Sequence, residues 1–265
     1  MDLALTINGW IDEEVIFAQQ VGARQVFAQV DSSQGNTPGW DASALARLAN
    51  RIEKAGLVLA GLRAAAPAGV GRPADGLAWA ARLVEEAGAA KSGLLISLSS
   101  ALFPARRPAG TNLAALLAPL ATASSAAGVR LAIPAEVLAR GQSQSGLTSA
   151  LELLPPSCGL DGSPALLLDE PQPAASGSAL AQAIQDRLYL VSVENKPRPA
   201  GQQPDPGFEQ LLALSWRLRQ SGYPGLIRLG QPPRWKGDTP SGHHARAFST
   251  GYLRAVLQAF QRSAI

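Results

Sequence analysis

Short apolar runs alternate with longer amphipathic segments along the whole chain. The runs are continuous rather than alternating, as in strands covered on both faces of a parallel sheet. Leu3–Ile7, Arg24–Val30, Leu57–Leu62, Gly93–Leu98, Val129–Ile133, Ala165–Leu168, Leu188–Val193 and Leu226–Leu229 read as strands. The segments between them read as helices. Ile11–Val21 has apolar residues at helical spacing and holds Asp12, Glu13 and Glu14 in its first turn, where the helix dipole favours negative charge. Asp41 is positioned to cap a helix that runs to Ala55. Further helices are expected at Pro73–Ala87, Asn112–Ala127, Thr148–Leu154, Ala179–Gln185, Phe208–Gln220 and Ala245–Gln261. Gly22, Gly56, Gly88, Gly128 and Gly222 stand where helices should stop.

Eight βα units in 265 residues predict an α/β fold, a single (β/α)8 TIM barrel filling one domain, residues 1–265. An open doubly wound sheet would show the same alternation. The count of eight and the lack of GxGxxG after the first strand favour the closed form. The Pro-rich GQQPDPG segment lies between a strand and a helix, so it reads as a loop rather than a linker.

Composition narrows the function classes. Hydrophobic residues make up 46%, which places the chain among globular proteins. No apolar run approaches the roughly 20 residues a membrane helix needs, and no membrane role is expected. The start, MDLALTINGW, lacks a basic n-region, so no signal peptide is expected. Cys158 is the only cysteine, which rules out an internal disulfide and makes a cytoplasmic location the default. The net charge of +3 comes from scattered arginines without a dense basic stripe, so no nucleic-acid partner is expected.

The chemistry of a parallel barrel sits where its strands end. Several strands here empty into polar tips: VRLAIPAE, PALLLDEP, LYLVSVENKP and GLIRLGQP. Side chains alternate along a strand, so Ser192 shares a face with Glu194, and Arg228 with Gly230. Arg63 ends the third strand among alanines. It suits a carboxylate or phosphate ligand, or equally a pair with a loop acid. Trp10, Trp40 and Trp235 each follow a strand and could wall a sugar pocket by stacking and by donating an indole N–H. Trp79 and Trp216 lie in helices and read as packing residues. Glu136 and Lys196 read either as acid/base groups or as surface residues. The adjacent His243 and His244 make a poor bidentate metal site; each is a candidate acid/base or simply a loop residue. Ser99 and Ser100 lack a nucleophile elbow, and Cys158 lacks an evident base.

The order of elements, with PGW at Pro38–Trp40, LARLANRIEKAGLVLAGL at Leu45–Leu62 and GYLRAVLQAF at Gly251–Phe260, resembles the xylose-isomerase-like barrel superfamily of sugar isomerases and epimerases. Within it the chain is most similar to the mannonate dehydratase branch. The resemblance implies a divalent cation held at the ends of the later strands. The corresponding positions here read as Pro134, Asp169, Gln172, Ser192 and Gly230, which leaves one acid and no metal or other cofactor expected. Two readings follow. In one, the barrel is a sugar isomerase, epimerase or dehydratase acting on a sugar or sugar acid by metal-independent acid/base chemistry. Asp169 or Glu194 would move the proton, and Arg228 or Lys196 would stabilise the enediolate. Arg228 would sit in the lost cation's place, paired with Asp169 and Glu194. Trp10, Trp40, Arg63, Trp235, His243 and His244 would bind substrate. In the other, the barrel is a catalytically inactive descendant that binds a carbohydrate or a protein. A homodimer is compatible with both.

Overall fold

A computed structural model of the chain describes residues 2–8, 10–30, 40–65, 73–90, 93–103, 113–139, 154–169, 186–193, 208–230 and 255. Eight strands close into one parallel barrel in sequence order: β1 (Asp2–Ile7), β2 (Gln25–Val30), β3 (Val58–Ala64), β4 (Leu95–Leu98), β5 (Arg130–Pro134), β6 (Cys158–Gly162), β7 (Leu188–Val193) and β8 (Leu226–Leu229). β8 pairs back onto β1, so no strand edge is left unpaired. Between the strands run α1 (Asp12–Gln20), α2 (Ala42–Lys54), α3 (Pro73–Ala90), a 3-10 turn (Ser100–Leu102), α4 (Leu113–Ala127), α5 (Ala135–Ala139), α6 (Pro164–Asp169) and α7 (Phe208–Gln220). No helix among the described residues is long and apolar enough to cross a membrane.

Local chemistry explains several element ends. The Asp41 carboxylate accepts from the Ala44 backbone N–H at 2.7 Å and caps α2. That bond is the first reason its pKa lies below the usual carboxylate value. Gly22, Gly56, Gly128 and Gly222 take positive φ directly after or near helix ends, as expected.

Gly88 does not stop its helix; α3 continues to Ala90. Its role is close approach. A Cβ there would lie 2.6 Å from the Ala127 side chain of α4, so the missing side chain lets α3 and α4 pack.

The larger departure is at the sixth strand. Ala165–Leu168 is not a strand but part of α6; the strand is the preceding CGLDG, Cys158–Gly162. Asp169 is therefore the last residue of a short helix rather than a strand tip. The helices expected at 148–154, 179–185 and 245–261 lie outside the described residues, except that Leu154 is in a bend and Ala255 is helical.

Two apolar layers hold the barrel. The outer layer packs strand residues such as Ile7, Val26, Ile96, Leu131 and Ile227 against helix residues such as Leu48, Ile52, Leu83 and Leu120. The inner layer is small: Ala4, Phe27, Leu95, Ala132 and Leu190. Phe27 fits because Gly61 faces it; a Cβ on Gly61 would strike the Phe27 ring and the Leu95 carbonyl. Moving two residues along each strand keeps the same face. Above this apolar floor the inward positions thus become Thr6, Gln29, Arg63, Ser97, Pro134, Asp161, Ser192 and Arg228. The barrel interior changes from apolar to polar toward the strand C-termini.

Gly88→Ala tests the close approach. Helix propensity alone would make alanine better by roughly 1 kcal/mol, whereas overpacking costs about 1–3 kcal/mol. Net destabilisation in urea unfolding is expected; a stabilised variant would show that α3 and α4 have room.

Candidate active site at the strand C-termini

Arg228 dominates the polar interior. In the run LIRL, the leucines at 226 and 229 and Ile227 supply packing, while residue 228 faces inward. Arg228 is 2% exposed. Its Nε and Nη2 donate to Ser192 Oγ at 3.0 and 2.7 Å, and Nη1 donates to Thr6 Oγ1 at 3.2 Å. Asp161 Oδ2 lies 3.7 Å from Nη2, an ion pair rather than a hydrogen bond. Ser97 Oγ donates to Asp161 Oδ2 at 2.7 Å, and Ser192 Oγ donates to Asp161 Oδ1. Ser192 therefore accepts from the guanidinium and donates to the carboxylate. Through these groups β1, β4, β6, β7 and β8 are tied together across the barrel.

The arrangement follows from electrostatics. A lone guanidinium in this interior would lose several kcal/mol of hydration. A carboxylate and oriented hydroxyls restore part of that, because Coulomb attraction strengthens as water is excluded. Asp161 also acts at a distance on Tyr223, whose hydroxyl donates to the Leu226 carbonyl at 2.8 Å. Burial first, and the Asp161 charge second, push the Tyr223 phenol well above its ordinary value; Arg130 opposes them. Arg130 lies 5.9 Å from the centre of the Tyr189 ring. Gly159 makes room for that ring, since a Cβ there would collide with it.

A second cluster lies just beyond β1. Glu14, buried in the first turn of α1, accepts from the Asn8 backbone N–H at 2.5 Å. Asn8 Oδ1 in turn accepts from the Trp10 backbone N–H at 3.1 Å. The Trp10 and Trp40 rings are 6.5 Å apart and tilted by 44°. The Trp10 indole Nε1 is buried and finds no acceptor among the described residues.

The structure sorts the sequence-predicted residues unevenly. Arg228 faces inward and forms an ion pair with Asp161, an acid the sequence reading did not single out. Asp169 sits on α6 because the apolar run before it coils instead of joining the sheet. Trp10 and Trp40 come together after β1 and β2. Arg63 is half-buried, on the inward face of β3. Glu194, Lys196, Trp235, His243 and His244 lie outside the described residues, as does Gln172. Glu136 is exposed on α5. Ser99 caps the 3-10 turn by accepting from Ala101 N–H at 3.3 Å. Cys158 is buried on β6, and burial raises its thiol pKa. Trp79 is partly buried against the outer core, but Trp216 is 63% exposed, contrary to expectation. Its helix buries Leu214, Ser215 and Leu218 instead.

Asp161, Thr6 and Ser97 were missed in the sequence, and Ser192 was named only as a vacated metal position. One signal for Asp161 was available. SPALLLD opens with serine and then proline, the pair favoured at a helix start. Reading it as α6 leaves CGLDG as the strand.

The described donors do not fit a divalent cation. No group of three or more His, Cys, Asp or Glu able to hold a metal occurs among the described residues. Among the described residues the one inward carboxylate, Asp161, already faces a guanidinium, whose charge would repel a cation.

No protein-family model matches the chain, and no curated protein does. Solved structures do match over the whole length. D-psicose 3-epimerase from Clostridium cellulolyticum H10, solved with D-tagatose, superposes with a TM-score of 0.58 at 14% identity, covering 100% of this chain and 98% of that one. L-ribulose 3-epimerase gives 0.64 at 16% identity, covering 99% and 96%. A xylose isomerase domain protein from Alicyclobacillus acidocaldarius gives 0.56 at 14%, covering 98% and 99%. The shared property is the fold, a closed eight-stranded parallel barrel with helices between strands.

Two predictions follow from the buried pair. Removing one member strands the other: Arg228→Met and Asp161→Asn should each cost about 3–5 kcal/mol in chemical unfolding. The double variant should lose clearly less than the sum; simple additivity would mean the pair is not coupled. The second concerns alkali. The unfolded chain ionises its tyrosine near 10.0, while folded Tyr223 stays protonated well above that. Stability from this group is intact below about pH 10 and falls as pH rises further. Tyr223→Phe should flatten the alkaline slope of unfolding free energy, although it gives up the bond to Leu226.

Proposed function

We propose that this barrel is a sugar isomerase or epimerase that works at the C-terminal mouth on a sugar or sugar acid, using acid/base side chains rather than a metal. The observation that carries the reading is the inward Arg228–Ser192–Asp161 network, with Thr6 and Ser97 around it, at the strand ends where barrels of this kind do chemistry. The neighbouring epimerases, solved with or named for ketoses, support the substrate class.

The reaction begins with removal of a proton from the carbon next to the sugar carbonyl. The C–H electron pair moves into a C=C bond, and the carbonyl π pair goes to oxygen, giving an enediolate. Return of a proton to the opposite face gives an epimer; return to the neighbouring carbon gives the isomer. The dehydratase version shares the first step. Glu194, which follows β7 directly, is the proposed base, with Lys196 the proposed proton donor. Arg228 supplies fixed positive charge for the enediolate oxygen, held in place by Ser192 and Thr6 so that little reorganisation accompanies charge development. Asp161 orients this group rather than moving the proton, because hydroxyls engage both of its oxygens. Trp10 and Trp40, with Trp235, His243 and His244, are the proposed contacts for the sugar's faces and hydroxyls.

One observation favours the alternative of a binding barrel without turnover. Asp161 is 6% exposed and internally bonded, as a group with a purely structural role would be.

The test is solvent exchange. The protein is incubated in D2O with D-psicose, D-tagatose, D-fructose, L-ribulose and several sugar acids, with and without a chelator. NMR then follows loss of the C–H signal next to the carbonyl. Chelator-resistant exchange, reduced roughly 100-fold or more in Arg228→Met, is expected. Binding without exchange would establish the non-catalytic alternative. Exchange abolished by chelator and restored by Mn²⁺ would overturn metal independence.

A further inference from the structure

Outside the barrel wall, the start of α2 and one face of α3 enclose a cavity of about 210 Å³. Its described lining is Trp40, Asp41, Trp79, Arg82, Leu83 and Glu86, with no strand residue among them. It is therefore separate from the strand-end network around Arg228. Residues 79, 82, 83 and 86 are spaced i, i+3, i+4 and i+7, so α3 turns all four to one side. Leu83, buried in the outer core, gives the cavity an apolar floor. Glu86 reaches across to α2, where its Oε2 accepts from the Ala42 backbone N–H at 2.8 Å. Asp41 is held by the same helix start, through the Ala44 N–H at 2.7 Å. Both carboxylates are thus fixed before any ligand arrives, and Glu86 Oε1 is bonded to no described residue. Arg82 stands exposed on the same face, next to Leu83.

We propose that this cavity is a second carbohydrate site, for one neutral pyranose ring. Trp40 and Trp79 supply flat apolar surfaces for the C–H face of a sugar. The polar lining is of two kinds: the Arg82 guanidinium, which only donates hydrogen bonds, and the Asp41 and Glu86 carboxylates, which only accept them. A hydroxyl does both, so neighbouring hydroxyls on one ring can donate to Glu86 and accept from Arg82. An organic cation would meet the guanidinium in this wall, and an organic anion would meet the carboxylates. The volume equals that of roughly seven waters at about 30 Å³ each, which is room for one ring rather than a chain. The site goes beyond the isomerase reading of the mouth and does not depend on it. Trp40 is common to both regions, since it also pairs with Trp10; Trp79 and Arg82 belong to the cavity.

The probes are methyl α-D-glucopyranoside, methyl α-D-mannopyranoside and methyl β-D-galactopyranoside. Their rings cannot open to a carbonyl, so the enolisation proposed for the mouth cannot consume them. Tetramethylammonium and acetate are the charged controls. Titrations follow the tryptophan indole N–H signals by NMR, assigned with Trp79→Phe and Trp40→Phe. We expect at least one glycoside to shift the Trp79 signal saturably, with a Kd in the millimolar range. Arg82→Met should weaken that binding roughly tenfold, as the loss of one charge-assisted hydrogen bond allows, and Trp79→Ala should weaken it several-fold. Arg82 is exposed, so its variant decides the matter even if Trp79→Ala does not fold. No glycoside binding, binding unchanged in folded Arg82→Met, or a charged control bound more tightly than every glycoside would overturn the inference. So would loss of D2O exchange with free ketoses in Arg82→Met, because the cavity would then be part of the mouth. Exchange without glycoside binding would remove this site and leave the isomerase reading standing; glycoside binding at Trp79 without exchange would do the reverse.

Discussion

A guanidinium inside a barrel has to be answered. Arg228 is nearly inaccessible, and its position is fixed by pairing β8 with β1 on one side and β7 on the other. Once it points inward, the neighbouring strands must supply acceptors. They do so with the smallest groups that can: a threonine from β1, a serine from β7, and a carboxylate from β6 reached through that serine. An apolar residue at 6 or 192 would remove an acceptor from its N–H groups. Breaking this network exposes the full desolvation penalty of a charge, so the polar half of the interior behaves as a single unit.

The apolar half obeys a different rule, volume. Phe27 is a large ring in the inner layer, and Gly61 yields to it; Gly159 likewise yields to Tyr189, which packs against the same layer. These pairs let the floor pack closely. The Tyr223 phenol illustrates the link. Burial first and the Asp161 charge second push it well above its ordinary value. Floor and network thus depend on each other: the floor raises the electrostatic stakes, and the network keeps the charges compensated.

Much of the barrel was legible because strand and helix periodicities differ and because glycine marks most helix ends. Arg228's direction was legible for the same reason, since alternation from any inward neighbour fixes it. The sixth strand was not. CGLDG offers two glycines, an aspartate and one leucine, whereas ALLL looks like a buried strand, and short apolar runs do not separate strand from helix by periodicity. The strand is accepted by the sheet because its partners need little from it: Gly159 must be small, Leu160 packs outward, and Asp161 is required by Arg228. Those are tertiary demands, absent from any local window. Gly88 failed in a similar way. A glycine near the expected end of a helix suggests a stop, but its reason lies on another helix, at Ala127. Ser97 and Thr6 were invisible because a single hydroxyl on an apolar strand has no signature until its partner is known.

The relation to sugar epimerases is one of scaffold, and the scaffold alone leaves the chemistry open. The charge arrangement restricts it further. The described wall places a guanidinium among one carboxylate and three hydroxyls. A metal coordinates substrate oxygens by exchanging ligands. A guanidinium has a fixed fork and can only donate hydrogen bonds. Chemistry built on it therefore depends more on how the substrate is oriented at its far end, because the charged group cannot adjust its geometry.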